Sequence, residues 1–194
     1  MGKDLSNVGS KAMELVSINI VNWNGISFLK DCIESIKMQT YKNIEINIAD
    51  NNSVDGSVNF LTNTYHEIKL IRNRRNEGFS KAHNQLIAVA GGKYIMPLNF
   101  DIILEPFFVE EIVRAMEFSA DTGIVSGKLF IIDSGKKTTI IDSTGITMRY
   151  MFPADRGQFE RDCGNYDNKE FVFGASGAAP LLKKEMLEEI KYDG

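Results

Sequence analysis

The 194-residue chain has few cysteines and no long apolar run, and both shortages limit what it can be. Cys32 and Cys163 stand far apart and form no CxxC pair, so the sequence indicates neither a zinc site nor a disulfide framework. No apolar run approaches the length that a membrane-spanning helix needs, about 18 residues. The first 14 residues are polar and lack the apolar core of a signal peptide. Free thiols and the missing export signal together predict a cytoplasmic protein.

Two common nucleotide-binding motifs are missing as well. A Rossmann dehydrogenase would carry GxGxxG after its first strand, whereas this chain has Asn22-Trp23-Asn24-Gly25 there. The P-loop pattern GxxxxGK(S/T) does not occur, which excludes a P-loop NTPase. The formal net charge of −4 gives no support to nucleic-acid binding. Hydrophobic residues make up 43% of the chain, which is enough for one domain with a real core.

Apolar patterning over the first 120 residues alternates between strand and helix. It predicts four strands, at 15–21, 43–49, 68–71 and 93–98, and four helices, at 26–38, 55–65, 78–90 and 106–118. The order β-α-β-α-β-α-β-α predicts an α/β fold, a mostly parallel sheet with helices on both faces. After residue 121 the pattern predicts short strands and loops at 123–132, 138–141, 145–152 and 171–182, a mobile polar loop at 153–170 and a final helix at 183–191.

Two aspartates stand directly after predicted strands. Asp50 ends the apolar run that starts at Ile44, and Asp101 ends Leu98-Asn99-Phe100-Asp101. Ligands of α/β sheets bind outside the carboxyl ends of the strands. The pair therefore predicts a nucleotide site, with one acid for the nucleoside and one for a metal-bound diphosphate. Taken alone, Asp50 could equally cap the turn that follows it, and Asp101 could cap the next helix or stand in solvent.

Several strings of the sequence, in their order and spacing, resemble the family 2 glycosyltransferases over residues 15–194. The strings are VSINIVNWNG (16–25), SIKMQTY (35–41), ADNNSVDGS (49–57), NRRNEGF (73–79), LNFD (98–101) and FGASGAA (173–179). They look closest to the bacterial rhamnosyltransferase-like branch. The resemblance implies the Rossmann-like GT-A nucleotide-diphospho-sugar transferase fold. It also implies transfer of a sugar, with inversion, from a UDP- or dTDP-linked donor to a glycan or lipid-linked acceptor in polysaccharide or cell-wall biosynthesis.

The resemblance implies a set of nucleotide-binding residues: Val21, Asn22, Trp23, Asp50, Asn52, Asn76 and Gly78. Asp50 would accept a hydrogen bond from the base, while Asn76 and Gly78 would approach the nucleoside and the diphosphate. Trp23 would be a wall of the base site, although an apolar ring of this kind could equally be simple core.

The resemblance also implies a metal ion and an acceptor side. Asp101 would hold Mg²⁺ or Mn²⁺, hard cations that prefer oxygen ligands. Asn99 stands where many relatives carry the first aspartate of a DxD motif, and its neutral amide predicts weak metal affinity without the donor. Gly174, Ser176 and Gly177 belong to an acceptor-side segment, although the glycines could equally be plain turn residues.

The chain divides, on this resemblance, into an N-terminal extension at 1–14, a nucleotide-sugar-binding half at 15–120 and an acceptor-side part at 121–194. An inverting transferase needs a carboxylate base, and in relatives it comes shortly after the position of Gly194, so we expect the base beyond the chain. The alternative is a nucleotide-sugar-binding fragment or degenerate module without turnover. Peripheral attachment to the inner face of a membrane through a lipid-linked acceptor, and a homodimer, both stay open.

Overall fold

A computed structural model describes residues 13–191. Its elements, in chain order, are β1 (Val16–Asn22), α1 (Ile26–Lys37), β2 (Ile44–Asp50), α2 (Ser57–Thr64), β3 (Lys69–Arg72), α3 (Phe79–Val89), β4 (Tyr94–Leu98), α4 (Phe108–Met116), β5 (Ile124–Val125), β6 (Leu129–Asp133), β7 (Lys136–Ser143), β8 (Ile146–Arg149), β9 (Phe152–Asp155), β10 (Leu181–Lys183) and α5 (Lys184–Glu189). Most of the predicted extension at 1–14, namely residues 1–12, lies outside the described residues, as do 192–194. No helix in the described range is both long and apolar enough to cross a bilayer.

One six-stranded sheet organises the chain, in the order β3-β2-β1-β4-β10-β5. The first four strands run parallel. The last two differ, because β10 runs antiparallel to β4 and β5 runs antiparallel to β10. The predicted α/β fold with a mostly parallel sheet is confirmed, and its first eight elements lie within two residues of their predicted ends.

Two clusters of buried apolar residues cover the two faces of this sheet. The larger one packs α1, α2 and α4 against alternate residues of the central strands and includes Ile18, Ile20, Leu29, Leu61 and Val109. The smaller one packs α3 on the opposite face and includes Ala49, Ala82 and Leu86. Because side chains alternate along a strand, the two faces of β1 differ in character.

The α3 face of the sheet carries a half-buried acid, Glu45. Its carboxylate accepts hydrogen bonds from Ser17 Oγ at 2.5 Å, the Gly91 N–H at 2.6 Å and Lys69 Nζ at 2.7 Å. Partial burial acts to raise the pKa of Glu45, but these hydrogen bonds outweigh it and lower the pKa to about 2. Glu45 thereby ties β1, β3 and the loop that leads into β4 together.

The chain after residue 121 forms two hairpins and differs from the sequence prediction in two places. β6 and β7 form one antiparallel hairpin, and β8 and β9 form another. The predicted mobile loop at 153–170 begins inside β9, and its backbone then bonds to β7, where Phe159 N donates to Ile141 O at 2.9 Å. Of the predicted strand region at 171–182, only its last two residues belong to β10, because Gly174, Gly177 and Pro180 interrupt an extended ladder.

The substitution Glu45→Gln should lower the free energy of unfolding by about 2 kcal/mol at neutral pH, because it removes charge-assisted hydrogen bonds. The folded-state pKa is depressed, so this stabilisation is complete above the ordinary value of 4.5 and is lost as pH falls toward about 2. Urea unfolding at several pH values measures it. Glu111→Gln, which breaks an exposed pair with Arg114, is the matched control and should change little. A Glu45→Gln effect that is the same at every pH would contradict the assignment.

Candidate functional site

The carboxyl ends of three parallel strands bring the predicted site residues to one edge of the sheet. In the register of β1 and β2, Asn22 stands beside Asp50. In the register of β1 and β4, Ile20 stands beside Leu98, so the loop with Asp101 leaves the same edge. Strand positions that are 28 residues apart (Asn22 and Asp50) and 78 residues apart (Ile20 and Leu98) in sequence therefore meet where α/β sheets bind ligands.

Asp50 holds the first two loops of this edge together. Its side chain is 1% exposed, its Oδ1 accepts a hydrogen bond from Asn22 Nδ2 at 2.7 Å, and its Oδ2 accepts one from the Ser53 N–H at 2.9 Å. Asn22 Oδ1 in turn accepts from the Gly25 N–H at 3.2 Å. Both carboxylate oxygens already have a protein partner, and each keeps a further lone pair. The geometry makes Asp50 a residue that positions the loops.

Three side chains that the sequence analysis did not single out extend this connection. Ser53 Oγ accepts hydrogen bonds from Asn22 Nδ2 at 3.0 Å and from the Asn24 N–H at 2.9 Å. Asn24 Oδ1 accepts from the Val54 N–H at 2.9 Å, and Asp55 Oδ2 accepts from the Ile26 N–H at 2.9 Å. All three lie within the strings at 16–25 and 49–57 that carry the family resemblance, but the sequence does not indicate their partners. These bonds fix the loop after β1 on the loop after β2.

A chain of amide side chains connects the end of β2 to the start of α3. Gln85 and Asn73 exchange two hydrogen bonds of 2.9 and 3.0 Å, and Asn73 Nδ2 also donates to Asn51 Oδ1 at 2.8 Å. Asn51 Nδ2 donates to Asn76 Oδ1 at 3.2 Å and to Gly78 O at 3.3 Å. Gly78 has φ +79°, which favours glycine there. The predicted residues Asn76 and Gly78 are thus held by the buried Asn51.

Aromatic side chains surround this edge. Trp23 directly follows β1 and is 55% exposed, so it is a surface residue and does not belong to the core. Phe79, the first residue of α3, is also exposed. Phe100 follows β4 and packs 6.1 Å from the Phe28 ring, centroid to centroid. An exposed indole can stack on a planar base.

Asp101 is exposed, one turn beyond β4. Beneath its loop, the buried Cys32 Sγ lies 3.8 Å from Asn99 O. Burial and then the charge of Asp101 raise the pKa of the Cys32 thiol to about 12, so Cys32 is inert core beneath an acidic loop. Within residues 13–191, no three His, Cys, Asp or Glu side chains are grouped to hold a metal ion. The roles of Asp101 and Asn99 toward a metal ion stay predictions.

The segment at 173–179, whose role toward an acceptor stays a prediction, lies against the loop with Asp101. The Asn99 N–H donates to Ala178 O at 3.0 Å, which places the residues after Gly177 beside the end of β4. Gly177 is exposed, and a Cβ there would meet nothing within 4 Å. Gly174 bonds through its carbonyl to the Ile146 N–H at 2.7 Å. Ser176 between them is half-buried.

Two predicted nucleotide residues stand apart from the polar network. Val21 is partly buried and packs in the small cluster beneath α3, so its side chain faces the interior. Asn52 is exposed and has φ +64°, a left-handed conformation that asparagine tolerates in turns. Their roles toward a nucleotide stay predictions.

His83 belongs to the interior of the protein. Its side chain is 5% exposed, and its ring lies 4.3 Å from the Phe79 ring. Both ring nitrogens have no hydrogen-bond partner among the described residues. Burial lowers the pKa of His83 to about 4, so the imidazole is neutral at physiological pH.

The sequence of the chain matches a known protein family. The sequence model described as Glycosyl transferase family 2 matches residues 17–189. The chain belongs to that family. The resemblance read from the sequence strings is thereby confirmed at the level of the family, whereas the rhamnosyltransferase-like branch stays a prediction.

Curated and solved members of glycosyl transferase family 2 and its fold show the same likeness. Glycosyltransferase GlyG of Streptococcus pneumoniae is 25% identical over 182 residues, which cover 92% of this chain and 60% of that protein. The S. aureus TarS 1–349 structure superposes with a TM-score of 0.64 at 13% identity, covering 90% of this chain and 48% of that one. A Pyrobaculum calidifontis mannosyltransferase in complex with GDP-Man and Mn²⁺ gives a TM-score of 0.61 at 16% identity, covering 91% and 46%. The GT-A fold is confirmed, and the chain spans about 60% of GlyG's length.

The substitution Gly25→Ala tests whether the loops after β1 and β4 pack as one unit in this family 2 member. A Cβ at Gly25 would lie 2.5 Å from Asn22 Oδ1 and 2.8 Å from Phe100 Cδ2. We expect overpacking to cost about 1–3 kcal/mol of stability and to displace the loop that carries Asp101. Thermal unfolding and nucleotide titration measure the two effects. Gly91→Ala is the control, since a Cβ there makes only ordinary contacts from 3.5 Å; equal stability of both variants would contradict the packing.

The substitution Asn51→Asp tests the amide chain. It keeps the shape of the side chain but replaces a donor by an oxygen facing Asn76 Oδ1 and Gly78 O. We expect a loss of about 1–3 kcal/mol in unfolding free energy, because buried acceptors would face each other. Chemical denaturation measures the loss, and hydrogen exchange at 73–78 locates it. Asn59→Asp, an exposed change on α2, is the control, and unchanged exchange in Asn51→Asp would refute the connection.

Proposed function

We propose that this chain is the donor-binding part of a glycosyltransferase that uses a nucleotide-diphosphate sugar. The observation that carries the proposal is the meeting of exposed Trp23, the locked Asn22–Asp50 loops and exposed Asp101 at one edge of the sheet. This edge supplies a flat ring for a base and a carboxylate for a metal-bound diphosphate. Family membership supports the same chemistry.

In this proposal the nucleoside lies between Trp23 and the loop that Asp50 positions. A free lone pair on the Asp50 carboxylate accepts the imide N–H of uracil or thymine, as the sequence resemblance implies. Asn76 and Gly78, held by Asn51, approach the diphosphate, and Asn52 supports the loop. TarS has been solved with UDP and with UDP-GlcNAc, which favours UDP-sugars, and the rhamnosyltransferase-like resemblance makes dTDP-sugars the second donor class.

The side chains of Asp101 and Asn99 fit Mg²⁺ or Mn²⁺ as oxygen ligands once the diphosphate of the nucleotide sugar is present. Asp101 would supply a carboxylate oxygen and Asn99 an amide oxygen, and phosphate oxygens and water complete such a shell. When bound, the ion neutralises charge that develops on the leaving diphosphate. The sparse protein ligands predict weak metal affinity without nucleotide. The mannosyltransferase solved with GDP-Man and Mn²⁺ supports a divalent ion.

The acceptor in this proposal approaches from the side of Gly174, Ser176 and Gly177, because that segment is hydrogen-bonded to Asn99 through Ala178. The acceptor is a glycan or lipid-linked sugar, and the reaction inverts the anomeric carbon at the cytoplasmic face. We assign the general base to none of the residues 13–191.

A nucleotide-sugar-binding module without turnover is the second candidate. The neutral Asn99, where many relatives have an aspartate, favours it. Release of UDP or dTDP from UDP-GlcNAc or dTDP-rhamnose, with and without Mn²⁺, separates the candidates. Release above the Asp101→Ala background supports the transferase, and tight binding without release supports the module.

Trp23 is the single tryptophan of the chain, so its fluorescence reports on the donor site directly. We expect UDP or dTDP with Mn²⁺ to quench it saturably, because the base stacks on the indole. Asp101→Asn should weaken the Mn²⁺-dependent part at least about tenfold, since a charged metal ligand is lost. Asp121→Asn, an exposed acid beyond α4, is the matched control. No quenching by either nucleotide at millimolar concentration would overturn the proposed function.

A further inference from the structure

The β8–β9 hairpin ends in a turn of bulky side chains. Tyr150 is 96% exposed, Met151 is 89% exposed, and Phe152 beside them is 75% exposed. Arg149 pairs with Phe152 across the hairpin, so Tyr150 and Met151 form a two-residue turn. We call residues 149–152 the hairpin tip. Three consecutive large apolar side chains that are mostly exposed indicate an interaction site and not a contribution to the core.

The backbone of the hairpin tip is unusual for these residue types. Tyr150 has φ +48° and Met151 has φ +68°, the left-handed pair that a two-residue hairpin turn requires. Asparagine and glycine normally occupy such turns, and bulky residues there are strained. Neither side chain offsets this strain by burial, because both are exposed. The turn therefore presents these side chains outward without gaining stability from them.

The charge of the hairpin narrows the kind of partner. Over the hairpin, residues 146–155, the charged side chains are Arg149 at the tip and the half-buried Asp155 at the end of β9. Arg149 is exposed and makes no ion pair within the described chain, whereas the nearby Arg156 pairs with Glu170. Aromatic rings and long cationic side chains combine an apolar body with a polar end, and this combination suits the headgroup region of a bilayer. An unpaired cation favours anionic lipids there.

The size of the hairpin tip argues against a protein partner. A stable protein interface needs about 800 Å² on each side, which four residues at a turn do not provide. Shallow insertion into a bilayer interface needs only a few apolar side chains. The net charge of the chain is −4, so general electrostatic attraction to an anionic surface does not explain binding. Insertion of the apolar tip would have to supply the free energy of binding.

The hairpin tip is linked to the acceptor side by backbone hydrogen bonds. Ile146 at the base of β8 bonds to Gly174 O at 2.7 Å, and Phe173 N donates to Ile146 O at 3.0 Å. Four residues later, Ala178 O accepts from the Asn99 N–H. A hairpin held at a lipid surface would thus hold the acceptor-side segment near that surface.

We propose that the hairpin tip inserts into the headgroup region of an anionic bilayer and brings the acceptor side to a lipid-linked acceptor. The choice of acceptor rests on the proposed function, whereas the insertion itself does not require nucleotide. The tip carries the apolar contact, and Arg149 provides the contact to anionic headgroups. Lipid binding and donor binding are therefore separate properties of separate surfaces.

The decisive variant is the double substitution Tyr150→Asn and Met151→Gly. Asparagine and glycine suit the turn, so the hairpin should be at least as stable as in the natural chain. Co-sedimentation with vesicles of equal parts phosphatidylglycerol and phosphatidylcholine measures binding. We expect the natural chain to bind and the double variant to bind at least about tenfold more weakly, because two apolar side chains no longer leave water. Met38→Ser, another exposed methionine, should bind as the natural chain does.

The remaining outcomes each overturn the lipid assignment. These outcomes are that the natural chain does not sediment with the vesicles, or that the double variant binds them as tightly as the natural chain. A third is that sedimentation velocity shows tip-dependent self-association in place of lipid binding. Thermal unfolding of the double variant checks that the fold is retained. Trp23 quenching by UDP or dTDP, measured on the same samples, separates the two proposals, since nucleotide binding without vesicle binding refutes only the lipid assignment.

Discussion

The hydrogen bond between Asn22 and Asp50 is the interaction on which the geometry of the candidate site depends. Parallel pairing of β1 and β2 places the two side chains side by side at the last position of each strand. Their 2.7 Å contact is buried, where an unpaired carboxylate would be costly. The same two side chains also bond to Ser53 and to the Gly25 N–H. The register of the two strands thereby fixes how their loops meet.

The parallel strands and the later segments are connected through backbone hydrogen bonds. The four parallel strands carry the loops of the candidate site, and the large core under them is apolar. The segment at 173–179 reaches these loops through the bond between Asn99 and Ala178, and the β8–β9 hairpin is bonded to that segment through Ile146.

Much of this architecture could be predicted from sequence because its signals are local. Helical spacing of apolar residues and Gly or Pro boundaries define the elements from β1 to α4 within two residues. Strand ends place Asp50 and Asp101 at one edge before any contact is known. The predicted strand region at 171–182 includes two residues of β10, but the sequence does not predict its antiparallel direction, because its partners β4 and β5 lie far away in sequence. β9 was assigned to a polar loop because Pro153 and Asp155 resemble loop residues.

The details of the site required coordinates for a similar reason. The residues next to Trp23 in sequence do not indicate whether its ring is in the core or at the surface. The structure shows that it is at the surface. Asp50 could cap a turn or meet a ligand, and the structure shows that its two oxygens hold the loops. The partners of Asn51 are contributed by Asn73, Asn76 and Gly78, and no local pattern connects them.

The amide chain from Gln85 to Gly78 has a consequence for how the protein responds to its medium. None of its side chains titrates or carries charge, so proton concentration and salt act on it only weakly. Residues 73–78, which lead into α3, should therefore keep their conformation across the pH range in which carboxylates and imidazoles change charge. A pH profile measured on this protein would then describe the acids, the ligand and its ion, against a frame that stays constant.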